Sequence, residues 1–408
     1  MGNFSIALSG LEANSTALNT IGNNLANLNT TAYKGQTTSF ENLFSQQIGQ
    51  SGSGDAIQVG AGTKVSGTST DFSEGTLQPD ATANPTDVAL DGNGFFIVEQ
   101  NGVQSLTRAG NFTVSEGGNL TTQDGQAVLG YPAVGGVVNQ NSALQPITIP
   151  VGATEGAQAT QNISTTVNLN SGATIGTTFT TPVTVFDSLG QSHNATITYD
   201  KTATNTWSYS IALPAGDATG VPVNNTGTLT FNSNGNLTSP VGSVAGITFP
   251  TLADGASDLT FNWNLTGNST VSQLASASTN GAQTQDGFAS GTFSTISIDA
   301  SGVIQAQFSN GNNTTIGQLA VANVANEQGL VATGGNNYQT TAASGQLTAG
   351  VAGAGGRGTV DDDTLEASNV NISTEFTNLI VAQRAFEANS KTVTTFDTIS
   401  QDVLALIR

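Results

Sequence analysis

The sequence predicts an α+β multi-domain protein in which N- and C-terminal helices pair as a coiled coil, with nested antiparallel β-domains between them. Three observations carry that expectation. Apolar residues recur every seven positions at both ends, alternation of period two runs through the middle from about Asp71 to Val360, and the chain is 408 residues long. At ~100 to 200 residues per domain, that length allows roughly two to four domains.

At the N-terminus Phe4, Leu11, Leu18 and Leu25 are spaced by seven, with Leu8, Ile21 and Leu28 on neighbouring rows, which is the pattern of an amphipathic helix with a narrow apolar seam. At the other end Ile372, Leu379, Phe386 and Val393 repeat the spacing, and Phe376, Ile380, Phe396, Val403 and Ile407 widen the stripe. Neither Pro nor Gly interrupts Thr364 to Arg408, and Thr364 or Ser368 is placed to cap a helix there. At ~1.5 Å per residue that helix would extend roughly 65 Å. Such helices draw most of their stability from burying the stripe, at ~1.5 to 3 kcal/mol per fully buried Leu or Phe. The stripes suit each other as partners or a globular core of their own chain. Glu12 is alone among charged residues on the first helix, which suits a helix surrounded by other helices.

Gln47 to Gly67 is rich in Gly and Ser and reads as a linker or an extended arm. Beyond it, Leu259, Phe261, Trp263 and Leu265 alternate with polar residues, as do Trp207, Tyr209, Ile211 and Leu213, the pattern of strands with one buried face. Turn signals stand at Asp91-Gly92-Asn93-Gly94, Asp124-Gly125, Ser188-Leu189-Gly190, Asn234-Gly235 and Asn310-Gly311. The expected division is a terminal helical domain (1–30 with 364–408), an extended linker or arm (31–71 with 358–363), an inner β-domain (72–144 with 286–357) and an inserted outer β-domain (145–285).

Composition removes whole classes of function. With 28 acidic against 8 basic residues the formal net charge is −20, and the basic residues are scattered, which argues against a nucleic acid partner. No apolar stretch approaches the ~18 residues of a membrane span, so no membrane insertion is expected. Nothing near Met1 resembles a cleaved signal peptide, so the expectation is a cytoplasmic protein or one exported by a route without cleavage. Without cysteine there is no thiolate metal site and no cysteine nucleophile. Gly353-Ala-Gly355-Gly-Arg-Gly358 fits the dinucleotide fingerprint in spacing only, and the following Asp361, Asp362 and Asp363 would repel a pyrophosphate. A flexible glycine loop is the better reading, with the aspartates opening the terminal helix, where acids favour the dipole. Asp91-Gly-Asn93-Gly-Phe95 reads as a hairpin turn. The single histidine, His193, lies near Asp187 and Ser192 without a nucleophile elbow, and reads as a turn histidine bonded to backbone. No catalytic, metal or cofactor site is expected.

These residues resemble the bacterial flagellar axial family of rod and hook subunits. Leu11 to Leu18, Ile21-Gly-Asn-Asn-Leu-Ala-Asn27 and Thr31-Ala-Tyr33-Lys34 are similar to its N-terminal signature. Leu365-Glu-Ala-Ser-Asn-Val370, Glu375 to Ile380, Ala382-Gln-Arg384 and Ala388-Asn-Ser-Lys391 are similar to its C-terminal one. Leu90 to Phe96, Thr107-Arg-Ala-Gly-Asn-Phe112, Gly125 to Gly130 and Phe308-Ser-Asn-Gly311 resemble the shared β-domain. Val185 to His193 resembles a signature of the hook subunits' outer domain, and the chain's length also favours the hook branch over the shorter distal rod subunits. Ala32 stands where the family usually has Gly, and Asn371 where Asp is common.

The resemblance implies a structural subunit and not an enzyme: a helical homopolymer forming a flexible tubular joint that carries torque from rod to filament. Implied partners are further copies of itself, the distal rod protein, the hook cap protein, the hook–filament junction protein and the flagellar type III export machinery. The implied location is extracellular, in the flagellar hook of the basal body. Assembly is expected to rest on Phe4, Leu8, Leu11, Leu18 and Leu25 meeting Ile372, Phe376, Leu379, Phe386 and Val393. Phe40-Glu-Asn-Leu-Phe44 resembles a short export motif, and its spacing equally suits an anchor on a β-domain. Two other readings stay open: a rod or hook–filament junction subunit, and a secreted β-rich adhesin binding glycans through Trp207 or Trp263.

Overall fold

A computed structural model describes residues 2–50, 56–82, 84–265 and 271–406. The chain divides into two compact units, one made of residues 1–149, 295–306 and 314–408, the other of 150–294 and 307–313.

The first unit holds both terminal helices, α1 (Gly2–Ala26) and α2 (Ile372–Leu406). α2 begins eight residues later than Thr364. Thr364–Glu366 is instead a strand paired antiparallel with Leu77–Pro79, and the chain stays extended until Asn371. Asn371 is the cap: its Oδ1 accepts from the N–H groups of Ser373 at 3.0 Å and Thr374 at 3.1 Å. An Asn serves there as well as an Asp, since the side-chain oxygen does the capping. With 35 residues the helix is about 52 Å long, shorter than expected. The aspartate run does not open it either. Asp361 and Asp362 lie on the strand Thr359–Asp362, which pairs with Val88–Asp91, and Asp363 turns the chain at φ 49°.

Between α1 and the β-body runs a two-stranded arm of β1 (Gln36–Asn42), β2 (Gln46–Gln50), β3 (Ala56–Val59) and β4 (Thr63–Thr70). β1 pairs with β4 and β2 with β3, both antiparallel. The arm is stapled to α1 by Asn24, whose side chain exchanges two hydrogen bonds with the backbone of Gln36, at 2.8 and 2.9 Å.

The β-body of this unit orders its central strands as Asn313–Leu319, Ala127–Val134, Phe95–Gln100, Val103–Thr107, Asn337–Gln339 and Val331–Gly334. Phe95, Ile97, Leu106, Leu129, Tyr131 and Tyr338 form its core, and Phe72 closes one side with its ring edge-on to Phe95 and Tyr338. Asp91 to Phe95 is a turn but not a hairpin. The strand before it, Val88–Asp91, pairs with Thr359–Asp362, while Phe95–Gln100 pairs elsewhere, so the glycines bend the chain between two ladders. Gly353 to Gly358 is a turn that leads into a strand and not a helix, which removes the dinucleotide reading.

The second unit contains two five-stranded sheets. One is an antiparallel meander of Thr178–Phe186, Ser192–Ala203, Thr206–Ala212, Thr226–Phe231 and Leu237–Ser239. The other is built around Asn162–Asn170, which pairs antiparallel with Thr279–Gln285 and parallel with both Leu259–Asn264 and Val271–Leu274. The sheets share a core that includes Trp207, Trp263, Tyr199 and Phe261. Both indole N–H groups are satisfied inside it, Trp207 by Gln273 at 2.8 Å and Trp263 by Thr165 at 2.9 Å.

Candidate functional site

Where α1 ends and α2 is about to begin, three charges meet in the interior of the first unit. The Lys34 ammonium lies 2.7 Å from one Glu366 oxygen, and the Arg108 guanidinium 3.0 Å from the other. All three side chains are buried. The first Glu366 oxygen also accepts from the Gly75 N–H at 2.8 Å, Lys34 donates to the Ser73 carbonyl, and Arg108 donates to the carbonyls of Leu90, Gly92 and Gly94. The turn at Gly92 and Gly94 is therefore a cradle for Arg108. Burial pulls the Lys34 pKa down, with Glu366 working in the opposite direction. A buried charge group is tolerable only when every member is hydrogen-bonded, and this one is. It ties both helix roots to the β-body. Composition already held a signal for it: in a chain only 9% charged, each of the three charges falls inside a motif.

Ala32 stands beside this node. It is fully buried, adopts φ 55° and donates its N–H to the Glu366 carbonyl at 2.7 Å. Glycine has no steric penalty in this left-handed region, whereas alanine is strained there.

α1 and α2 lie antiparallel against one another. Gly10 faces Asn389, where an added Cβ would come within 2.9 Å of the side chain, while Ala17 and Ile21 share a cleft with Glu375 and Ala382. Within the single chain the buried side of α1 consists mainly of small residues, Ala7, Gly10, Ala13 and Ala17, with Ile21. Their spacing of three and four is a signal that a search for large apolar residues passes over.

The large side chains expected to drive assembly sit differently. Leu8 is 43% exposed and Phe376 is 50% exposed; Ile372 and Phe386 are also exposed, and Leu11, Leu18, Leu25, Leu379 and Val393 are half-buried. Phe4 lies on α1, and its side chain is outside the described residues. Ile380, Val381, Ile399, Val403 and Leu404 add to the open apolar surface of α2. Phe40 projects half-exposed from β1, and Phe44, just beyond it, is 96% exposed.

In the second unit His193 is neither in a turn nor bonded to backbone. It sits buried on the strand Ser192–Ala203 between two carboxylates, with Nδ1 2.9 Å from Asp217 and Nε2 3.0 Å from Asp187. Two acceptors on the two ring nitrogens select the doubly protonated ring. Burial opposes that charge, but the hydrogen bonds to Asp217 and Asp187 outweigh it, and the His193 pKa is raised. Burial likewise opposes the Asp187 charge and is outweighed by the hydrogen bonds it accepts from His193 and from the backbone N–H groups of Leu189 and Gln191, so its pKa is lowered. Asp187, His193 and Asp254 are close enough to ligate a metal ion, but both imidazole nitrogens are already engaged. Trp207 and Trp263 are fully buried, which removes them as glycan platforms.

Four family models match along the chain. They are the flagella basal body rod protein model over residues 4–34, the D1 domain of flagellar hook protein FlgE/F/G over 89–170, the flagellar basal body protein FlaE D2 domain over 158–288, and the C-terminal model of the flagellar basal body rod FlgEFG proteins over 362–406. Together they define a subunit of the flagellar axial structures. The flagellar hook protein FlgE of Salmonella typhimurium is 36% identical over 418 residues, covering 99% of each chain. That of Escherichia coli K12 is 35% identical over 419 residues, again covering 99% of each. That of Treponema pallidum is 33% identical, covering 98% of each. The crystal structure of Helicobacter pylori FlgE2 superposes with a TM-score of 0.54 at 16% identity, over 71% of this chain and all of that one, a likeness of fold. The chain belongs to the flagellar hook protein family, which is a family of structural subunits and not of enzymes.

Proposed function

We propose that this chain polymerises with copies of itself into the flagellar hook, a flexible tube that transmits torque from rod to filament. The observation that carries the reading is the open apolar surface of the terminal helices. Side chains such as Leu8, Ile372, Phe376 and Phe386 are left uncovered by their own chain. Each is already about half covered by its own chain, so burying the remainder against neighbouring copies would gain ~0.5 to 1.5 kcal/mol per side chain.

In this reading α1 and α2 line the inside of the tube and the β-units face outward, following the fourfold division of terminal helices, arm, inner and outer β-domains. The seam of Phe4, Leu8, Leu11, Leu18 and Leu25 with Ile372, Phe376, Leu379, Phe386 and Val393 is closed between copies. The distal rod protein, the hook cap protein and the hook–filament junction protein are the neighbours at the ends and during growth. Export runs through the flagellar type III apparatus, with Phe40 and Phe44 as the recognised side chains, and places the subunit outside the cell. A surface of small polar residues with few charges lets adjacent copies slide as a bent tube rotates. Electron microscopy of the purified full chain under polymerising conditions tests the reading: tubes are expected, and a chain that stays monomeric at every concentration would overturn it.

A further inference from the structure

In the first unit a cleft of ≈ 320 Å³ opens between α1, β1 and the first turns of α2. Its lining includes Asn14, Thr20, Thr38, Phe40, Asn378 and Glu375. Glu375 is 9% exposed, and its Oε2 is a buried oxygen with no hydrogen-bond partner. A carboxylate oxygen that has lost water and gained no donor is a standing cost to the isolated chain, and a cationic donor entering the cleft would remove it.

We infer that Arg384 of an adjacent copy enters this cleft and pairs with Glu375. The inference rests on the reading of the chain as a self-assembling subunit, and it assigns one contact of that assembly. Among the described cations of the first unit, Lys34 and Arg108 are spent on Glu366, Lys64 on Glu41 at 2.6 Å, and Arg357 on the Val351 carbonyl, which leaves Arg384 and Lys391, both exposed on α2. Arg384 is 81% exposed, and its ion-pair neighbour, Glu387, is 4.0 Å away, beyond hydrogen-bond range. Nine residues separate Glu375 from Arg384. That is about two and a half turns, so the two point to opposite sides of α2 and cannot meet within one chain. A donor on one side and an acceptor on the other make a head-to-tail contact, the kind that propagates into an open helical polymer. The guanidinium also suits the cleft better than an ammonium. Its planar array of five donors can serve Glu375 together with the amide oxygens of Asn14 and Asn378 and the hydroxyls of Thr20 and Thr38.

The test is the critical concentration for polymerisation of the purified full chain, measured for wild type, Glu375→Gln, Arg384→Gln and the double variant. Each single change should raise it on the order of tenfold, and the double variant should be no worse than either single one. Melting of the dilute monomer should stay unchanged or rise for Glu375→Gln, because a neutral amide is cheaper to leave unpaired. Arg384→Gln alters an exposed position, so its effect on assembly is read independently of folding. The pairing is overturned if either single variant polymerises like wild type, if the two effects add, or if Glu375 couples to Lys391→Gln instead. Wild type that never polymerises overturns the assembly reading and the pair together, whereas polymerisation with uncoupled variants overturns the pair alone.

Discussion

Lys34 and Glu366 are 332 residues apart in the chain and 2.7 Å apart in space, with both side chains withdrawn from solvent. One follows α1 and the other precedes α2, so this contact, completed by Arg108, fixes both helix roots on the β-body.

Removing the shared acceptor should show how much the base depends on it. Glu366→Ala leaves two buried cations facing each other and is expected to cost about 3 to 5 kcal/mol. Chemical denaturation of the full chain reads this as early loss of the first unit, with the second melting as before. A loss below about 1 kcal/mol would mean that the node is not structural.

Ala32 offers a change in the other direction. The left-handed conformation costs an alanine roughly 1 to 2 kcal/mol, while glycine there adds about 0.4 to 1 kcal/mol of unfolded-state entropy to be lost. Ala32→Gly should therefore be neutral to stabilising by about 1 kcal/mol, and Ala32→Val strongly destabilising. Thermal melting distinguishes the two.

His193 gives the second unit a pH dependence of definite sign. Its pKa is raised in the folded state, so the stabilisation from Asp187 and Asp217 is fully present below the unfolded value of about 6.5. It is lost as pH rises through the higher folded value. Melting temperature of the second unit should fall over that window, and His193→Phe should flatten the dependence. An unchanged slope in the variant would assign the effect elsewhere.

The terminal helices were legible because large apolar residues at sevenfold spacing have no other economical use. Their starting points were less so. Thr364–Glu366 is held extended by Leu77–Pro79, nearly three hundred residues earlier, and no local signal at Thr364 announces that partner. The same distance hid the node's pairing: scarcity of charge marks Lys34, Arg108 and Glu366 one by one, but only the fold shows that they meet. Strict alternation located Trp263 correctly in the core, but it could not show that the strand Asn162–Asn170 pairs in parallel with the one carrying it. His193 was misread because Asp217, its Nδ1 partner, lies 24 residues away, beyond the hairpin of Ser192–Ala203 and Thr206–Ala212. The small-residue face of α1 was passed over because alanine and glycine carry little weight in an apolar count, yet they let α2 approach closely.

Asn371 caps α2 with two hydrogen bonds, and Asn371→Ala should cost about 1 kcal/mol. Amide exchange would localise the effect, with faster exchange confined to the first turn of α2. Faster exchange along the whole helix would indicate a different anchor.

The central claim is that large apolar side chains on the terminal helices find their cover in other copies. The most direct measurement is sedimentation of Phe376→Asp and Leu18→Asp against wild type under polymerising conditions, with monomer melting measured alongside. The account predicts that wild type pellets as tubes while both variants remain soluble with the β-units melting as before. Tubes formed by either variant at the wild-type concentration would contradict it.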